Sequence, residues 1–105
     1  NAGKTVSPDV AGAQAMFAAS DLNEATGLVT WNYKTTSPAA YPFTAATYAM
    51  VKSNYGKADL SSAVKRQVEY MAFECSTKVT TEGMIKITKT SDLGKAILSL
   101  TAKIK

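Results

Sequence analysis

Ser37-Pro-Ala-Ala-Tyr-Pro-Phe-Thr-Ala-Ala-Thr-Tyr-Ala-Met-Val-Lys52 is the stretch whose reading decides the fold. Pro38 and Pro42 lock φ and remove two backbone donors, so they hold its first part extended and deny it a helix. From Phe43 to Val51 there is no charge. One alternate set of side chains is Thr44, Ala46, Tyr48 and Met50; the other is Phe43, Ala45, Thr47, Ala49 and Val51. Both sets are apolar or small, the pattern of a strand covered on both faces. Lys52 and Ser53-Asn54-Tyr55-Gly56 then close it with a turn. These features predict an α+β domain, with three helices packed on a short sheet centred on residues 44–51.

The helices are expected near 8–20, 59–75 and 91–103. Ser7-Pro8-Asp9 is a helix start: a hydroxyl to cap, a proline at the first position and an acid at the positive dipole end. Val10, Ala13, Phe17 and Met16 supply its apolar stripe. The second helix is capped by Asp59, with Ser61 or Ser62 as weaker caps. Leu60, Val64, Val68, Met71 and Cys75 step along one face, and Lys65, Arg66 and Glu69 fall toward water. Thr90-Ser91-Asp92 opens the third, with Leu93, Ala96, Ile97, Leu100 and Ile104 as its stripe. Phe17, Tyr48, Met50, Val64, Val68, Met71, Leu93, Ile97 and Leu100 are expected to meet in one core.

The connections are less regular. Asn1 to Val6 reads as the tail of a strand. Leu28 to Tyr33 alternates, with Val29, Trp31 and Tyr33 on one side, and reads as a short strand. Met84 to Ile87 reads as a short extended piece, reached through a polar connection closed by Gly83. Trp31 is either a half-buried cover over the core edge or a stacking platform for a ligand.

At 105 residues the chain is one domain of 1–105, large enough for a core. It carries 46% apolar and 19% charged residues, the balance of a globular chain. No apolar run has the length of a membrane span, and no signal peptide opens it. Net charge is +4, but the basic residues are scattered and include one arginine, so no nucleic-acid surface is indicated.

Chemistry is sparse. There is no histidine, which removes histidine acid–base catalysis, Ser-His and Cys-His nucleophile pairs and histidine metal sites. Cys75 is the single cysteine, so no internal disulfide forms, and it reads as a small buried hydrophobe. Asp9, Asp59 and Asp92 sit at helix starts, where capping accounts for them. The six glycines are scattered and form no phosphate-cradling loop. Ser7 and Ser91, at helix N-termini, offer anion contacts that the neighbouring Asp9 and Asp92 oppose. No catalytic residue, metal ligand or cofactor is indicated, the chain is not read as an enzyme, and no ligand-binding residue is assigned.

Gly3-Lys4-Thr5-Val6-Ser7-Pro8, an alanine-rich helix, then Tyr41-Pro42-Phe43-Thr44 leading into Thr47-Tyr48-Ala49-Met50-Val51, resembles the C-terminal third of phosphate-binding proteins. These are the extracytoplasmic substrate-binding subunits of phosphate ABC transporters. The helix holding Val64 to Cys75 and the Gly83-Met84-Ile85-Lys86-Ile87 segment resemble later elements of that family. The family's usual prolines are absent from Met84 to Thr88, and Leu28 to Tyr33 has no counterpart. The resemblance implies part of one lobe of a periplasmic-binding-protein fold, in a C-terminal segment of a larger extracytoplasmic protein. It implies, as partners, the remainder of that protein and, for the intact protein, the transporter permease. The family's phosphate ligands lie in earlier parts of its chain, and none is matched here. The alternative is a free-standing structural or protein-interaction module derived from that scaffold, without ligand.

Overall fold

The computed structural model describes residues 3–78 and 84–105. Gly83 and Glu82 lie outside the described residues, so the expected turn there and the first residue of the Gly83–Ile87 motif do too. The element order is α1 (Val10–Ala18), β1 (Asp21–Leu22), β2 (Val29–Thr30), α2 (Ala58–Glu69), a π-helical turn (Tyr70–Cys75), α3 (Ser76–Lys78) and α4 (Asp92–Thr101). The α2, π-turn and α3 segments run on without a break, so the described residues hold three helical runs and one two-stranded antiparallel sheet, a small α+β arrangement. The described residues divide into two compact units.

The first unit holds α1, β1 and β2. Asp9, not Ser7, caps α1: its Oδ1 accepts from the Gly12 N–H at 2.7 Å, and Pro8 stays outside the helix. A carboxylate makes the stronger, charge-assisted cap at a positive dipole end, which decides between the two. The buried face of α1 is Gly12, Ala13 and Met16, with Phe17 and Val10 half-buried at its margin. That face turns toward residues 40–41, because Gly12 has no side chain. The Tyr41 N–H donates to the Gly12 carbonyl at 3.0 Å, and Ala40 is buried beside it. A Cβ on Gly12 would stand 2.9 Å from the Ser7 carbonyl oxygen and 3.1 Å from Tyr41 Cβ.

The sheet is at Asp21–Leu22 and Val29–Thr30, registered Asp21 to Thr30 and Leu22 to Val29. Two of the six residues of the expected 28–33 strand are therefore in a strand, and residues 3–6 form none. Ser20 Oγ donates to the Met16 carbonyl and accepts from the Asn32 N–H, tying the end of α1 to the chain after β2.

The sheet is not centred on 44–51. Residues 45–52 carry no helix or strand, and Tyr48, Met50 and Val51 are exposed. A strand needs a neighbour to pair its backbone groups. The two strands among the described residues are two residues long and pair with each other.

In the second unit α4 packs against α2 and the π-turn. Ser91 caps α4 as expected, accepting from the Gly94 N–H at 3.1 Å and donating to the Thr88 carbonyl at 2.7 Å. Asp59 does not cap α2: the helix starts after Lys57, without a side-chain cap, and Asp59 sits in its first turn. Val64 and Val68 face inward, half-buried, as do Leu93, Ile97 and Leu100. Met71 does not follow them and is 53% exposed, while Phe73 is buried. The i→i+5 bonding of a π-turn inserts one extra residue. Phe73 then stands where position 72 would stand in an unbroken α-helix, four after Val68 and on its stripe. The expected single core of nine residues is thus corrected: Met71 leaves by the π-turn, and Tyr48 and Met50 leave because no strand holds them inward.

Residues 53–55 are joined to the end of the chain, with the Tyr55 N–H donating to the Lys105 carbonyl and the Lys105 N–H to that of Ser53. Lys103 Nζ donates to the carbonyls of Glu24 and Ala25. Beside them Gly27 takes φ +77°, and a Cβ there would stand 2.7 Å from Leu100 Cδ1.

Candidate functional site

The second unit has an open groove of about 660 Å³ along α2 and the π-turn. Arg66, Glu69, Tyr70, Phe73, Glu74 and Lys89 line it. α2 positions Arg66 and Glu69. The π-turn aims Phe73 inward at the groove's base, and Lys89, just before α4, places its Nζ 5.6 Å from the Phe73 ring centroid. This cation–π contact holds the lysine across the ring. On the next part of the same helical run, Lys78 Nζ lies 5.9 Å from the Tyr70 ring.

Electrostatically the groove is mixed. Two cations, Arg66 and Lys89, stand among two carboxylates, Glu69 and Glu74. Glu69 was expected to face water. It is half-buried and accepts from Thr101 Oγ1 at 3.1 Å, and Thr101 is itself buried. A phosphate dianion requires several converging donors to offset its lost hydration. Here the carboxylates occupy the ground that such donors would need.

The first unit has a smaller hollow of about 280 Å³ at the start of α1, between residues 5–12 and 38–39. The free N–H groups of a helix start make an anion site when they stay free. Asp9 holds the Gly12 N–H, and its own negative charge faces the hollow. Ser91 likewise holds the Gly94 N–H at α4. Both helix starts are occupied by the protein's own caps.

Trp31 is half-buried in the first unit. Cys75 is a free, half-buried thiol at the end of the π-turn rather than a fully buried one. Among the described residues, no group of three or more carboxylate or thiol side chains is placed to hold a metal ion. No helix among them is long and apolar enough to cross a membrane. The pairing of Phe73 with Lys89 was not legible in the sequence. A period of 3.6 puts Phe73 off the apolar face, and only the inserted residue brings it round. No family model, curated protein or solved structure matches this chain.

Proposed function

We propose that this chain is the C-terminal segment of a phosphate-type solute-binding protein of an ABC transporter, a scaffold segment that supplies none of the phosphate ligands. The observation that carries the reading is the order and spacing of Gly3 to Pro8, the alanine-rich helix, and Tyr41-Pro42-Phe43-Thr44 before an uncharged run. The capped starts of α1 and α4 and the carboxylates around Arg66 support the second half of it, since each opposes a dianion. On this reading the partners are the remainder of the parent protein and, through it, the transporter permease, and the working compartment is extracytoplasmic.

The coding sequence upstream of Asn1 tests the assignment. Some two hundred preceding residues with a signal peptide and an arginine-bearing Ser-Gly-Thr segment are expected; a gene that begins near Asn1 would overturn it. Titration with phosphate against sulfate, followed by amide shifts at an ionic strength where the Debye length is about 8 Å, tests the missing ligands. Saturable, phosphate-selective shifts would refute that part. The second reading, a free-standing interaction module, draws on the exposure of Phe43, Met50 and Val51, apolar side chains that a partner would cover.

A further inference from the structure

The chain has twelve basic residues, and the fold holds the backbone at or beside all but two of them. Four lie within helices. The Lys57 carbonyl accepts from the Ser61 N–H, and Lys34 and Lys89 sit in turns closed by the Thr35 and Ser91 N–H groups. Lys86 is followed by Ile87, whose N–H donates to Ser76 Oγ. Lys103 holds the carbonyls of Glu24 and Ala25, and Lys105 is bonded to Ser53 and Tyr55. The two left are Lys4, close to the start, and Lys52.

Lys52 is open in both side chain and approach. Among the described residues its ammonium has no ion pair, ring contact or hydrogen bond. The three residues before it, Ala49, Met50 and Val51, carry no helix, strand or hydrogen bond, and Met50 is 95% exposed. All four belong to the second unit. Exposed backbone of this kind is where proteases nick a folded chain, whereas bonded backbone must open before it is cut.

We propose that the Lys52–Ser53 peptide bond is a processing site for an endoprotease of trypsin-like specificity. Charge selects that class. The acid in the specificity pocket of such an enzyme pairs with a lysine ammonium, and from Ala25 to Ala58 this chain carries no carboxylate to oppose it. In the hydrolysis, the oxygen of water joins the Lys52 carbonyl carbon and the C–N bond breaks. Both water protons pass to the Ser53 nitrogen, leaving a carboxylate and an α-ammonium.

The cut makes a two-chain protein rather than two free pieces. On the downstream side the Ser53 carbonyl accepts from the Lys105 N–H, and the Tyr55 N–H donates to the Lys105 carbonyl, so the new N-terminus stays tied. On the upstream side residues 24–27 belong to the same unit as α4. There Lys103 bonds the Glu24 and Ala25 carbonyls, and Gly27 lies against Leu100. What the cut frees is the end 49–52. This inference goes beyond the solute-binding assignment and does not rest on it.

Trypsin at low ratio to the whole chain, followed by intact-mass spectrometry, reads the site. Trimming at Lys4 is counted apart, because it removes four residues and divides nothing. The expected first dividing cut gives fragments 1–52 and 53–105, which still elute together in gel filtration. Lys52→Gln should slow division at least tenfold. Cleavage of the native state is expected to keep its rate in 1 M urea, once normalised to a small peptide substrate. Cleavage through global unfolding would instead speed up about fivefold or more. A first dividing cut elsewhere, an unchanged rate in Lys52→Gln, acceleration by urea, or fragments that separate would each overturn the proposal.

Discussion

Gly94→Ala has the opposite sign here from its effect on an open helix. Gly94 lies in the first turn of α4, where alanine would ordinarily stabilise by about 1 kcal/mol through helix propensity. In this chain the added Cβ would press into the Thr88 carbonyl oxygen and stand 2.9 Å from Thr88 C and 3.1 Å from Lys89 Cα. All three are backbone atoms and cannot rotate away. Relief requires α4 to shift away from residues 88–89, but Ser91 is bonded both to the Gly94 N–H and to the Thr88 carbonyl. The shift therefore strains the cap, itself worth about 1 kcal/mol. Overpacking costs about 1–3 kcal/mol and the strained cap about 1 kcal/mol more, so after the propensity gain of about 1 kcal/mol a net loss of about 1–3 kcal/mol is expected. Urea unfolding followed by far-ultraviolet circular dichroism reads it as a lower midpoint at unchanged slope. An unchanged or higher midpoint would show that residues 88–89 do not lie against α4 as described.

Gly12→Ala should destabilise by about 1–2 kcal/mol, because its Cβ meets the Ser7 carbonyl and Tyr41. Loss of the amide-exchange protection at Tyr41 would accompany it, and retained protection would count against the crossing. Asp9→Ala should cost about 1 kcal/mol and Ser7→Ala nearly nothing, since only Asp9 caps α1. Equal effects in chemical denaturation would reverse that assignment. Thr101→Val removes the hydroxyl that donates to the half-buried Glu69 and should cost about 1–2 kcal/mol. The same substitution in a Glu69→Ala background should cost less, and strict additivity would argue against the bond. Val68→Ala, at a half-buried site, should cost about 1 kcal/mol from lost methyls and incomplete refilling; a neutral effect would place Val68 outside the α2–α4 contact.

Local signals were legible wherever the deciding partner is near in the chain. Ser91 was found as a cap because the group it serves, the Gly94 N–H, is three residues away. Val64, Val68, Leu93, Ile97 and Leu100 were found because a regular helix repeats its face. The failures share another cause. Whether 44–51 becomes a strand depends on the presence of neighbouring strands, which alternation within the segment does not report. Whether Glu69 meets water depends on Thr101, thirty-two residues on. The choice of Asp9 over Ser7 was a matter of two residues and was decided by charge. The groove was hidden for a third reason, since its base residue Phe73 is turned inward by a break in the helical period itself.

That break acts as a gear change along one continuous rod. Upstream of it the side of the helix meeting α4 is set by Val64 and Val68; downstream it is set by Phe73. The two halves are keyed one residue out of phase. Deleting a single residue between Tyr70 and Ala72 would remove the inserted residue and leave Phe73 four after Val68 in an unbroken α-helix, still directed toward Lys89, whereas a deletion within Ala58–Glu69 would swing every later side chain by about 100°. Length is thus constrained more tightly in the helix on either side than in this turn. A one-residue deletion inside the turn is absorbed by the extra residue it holds, whereas one upstream in the helix re-aims the whole segment that follows.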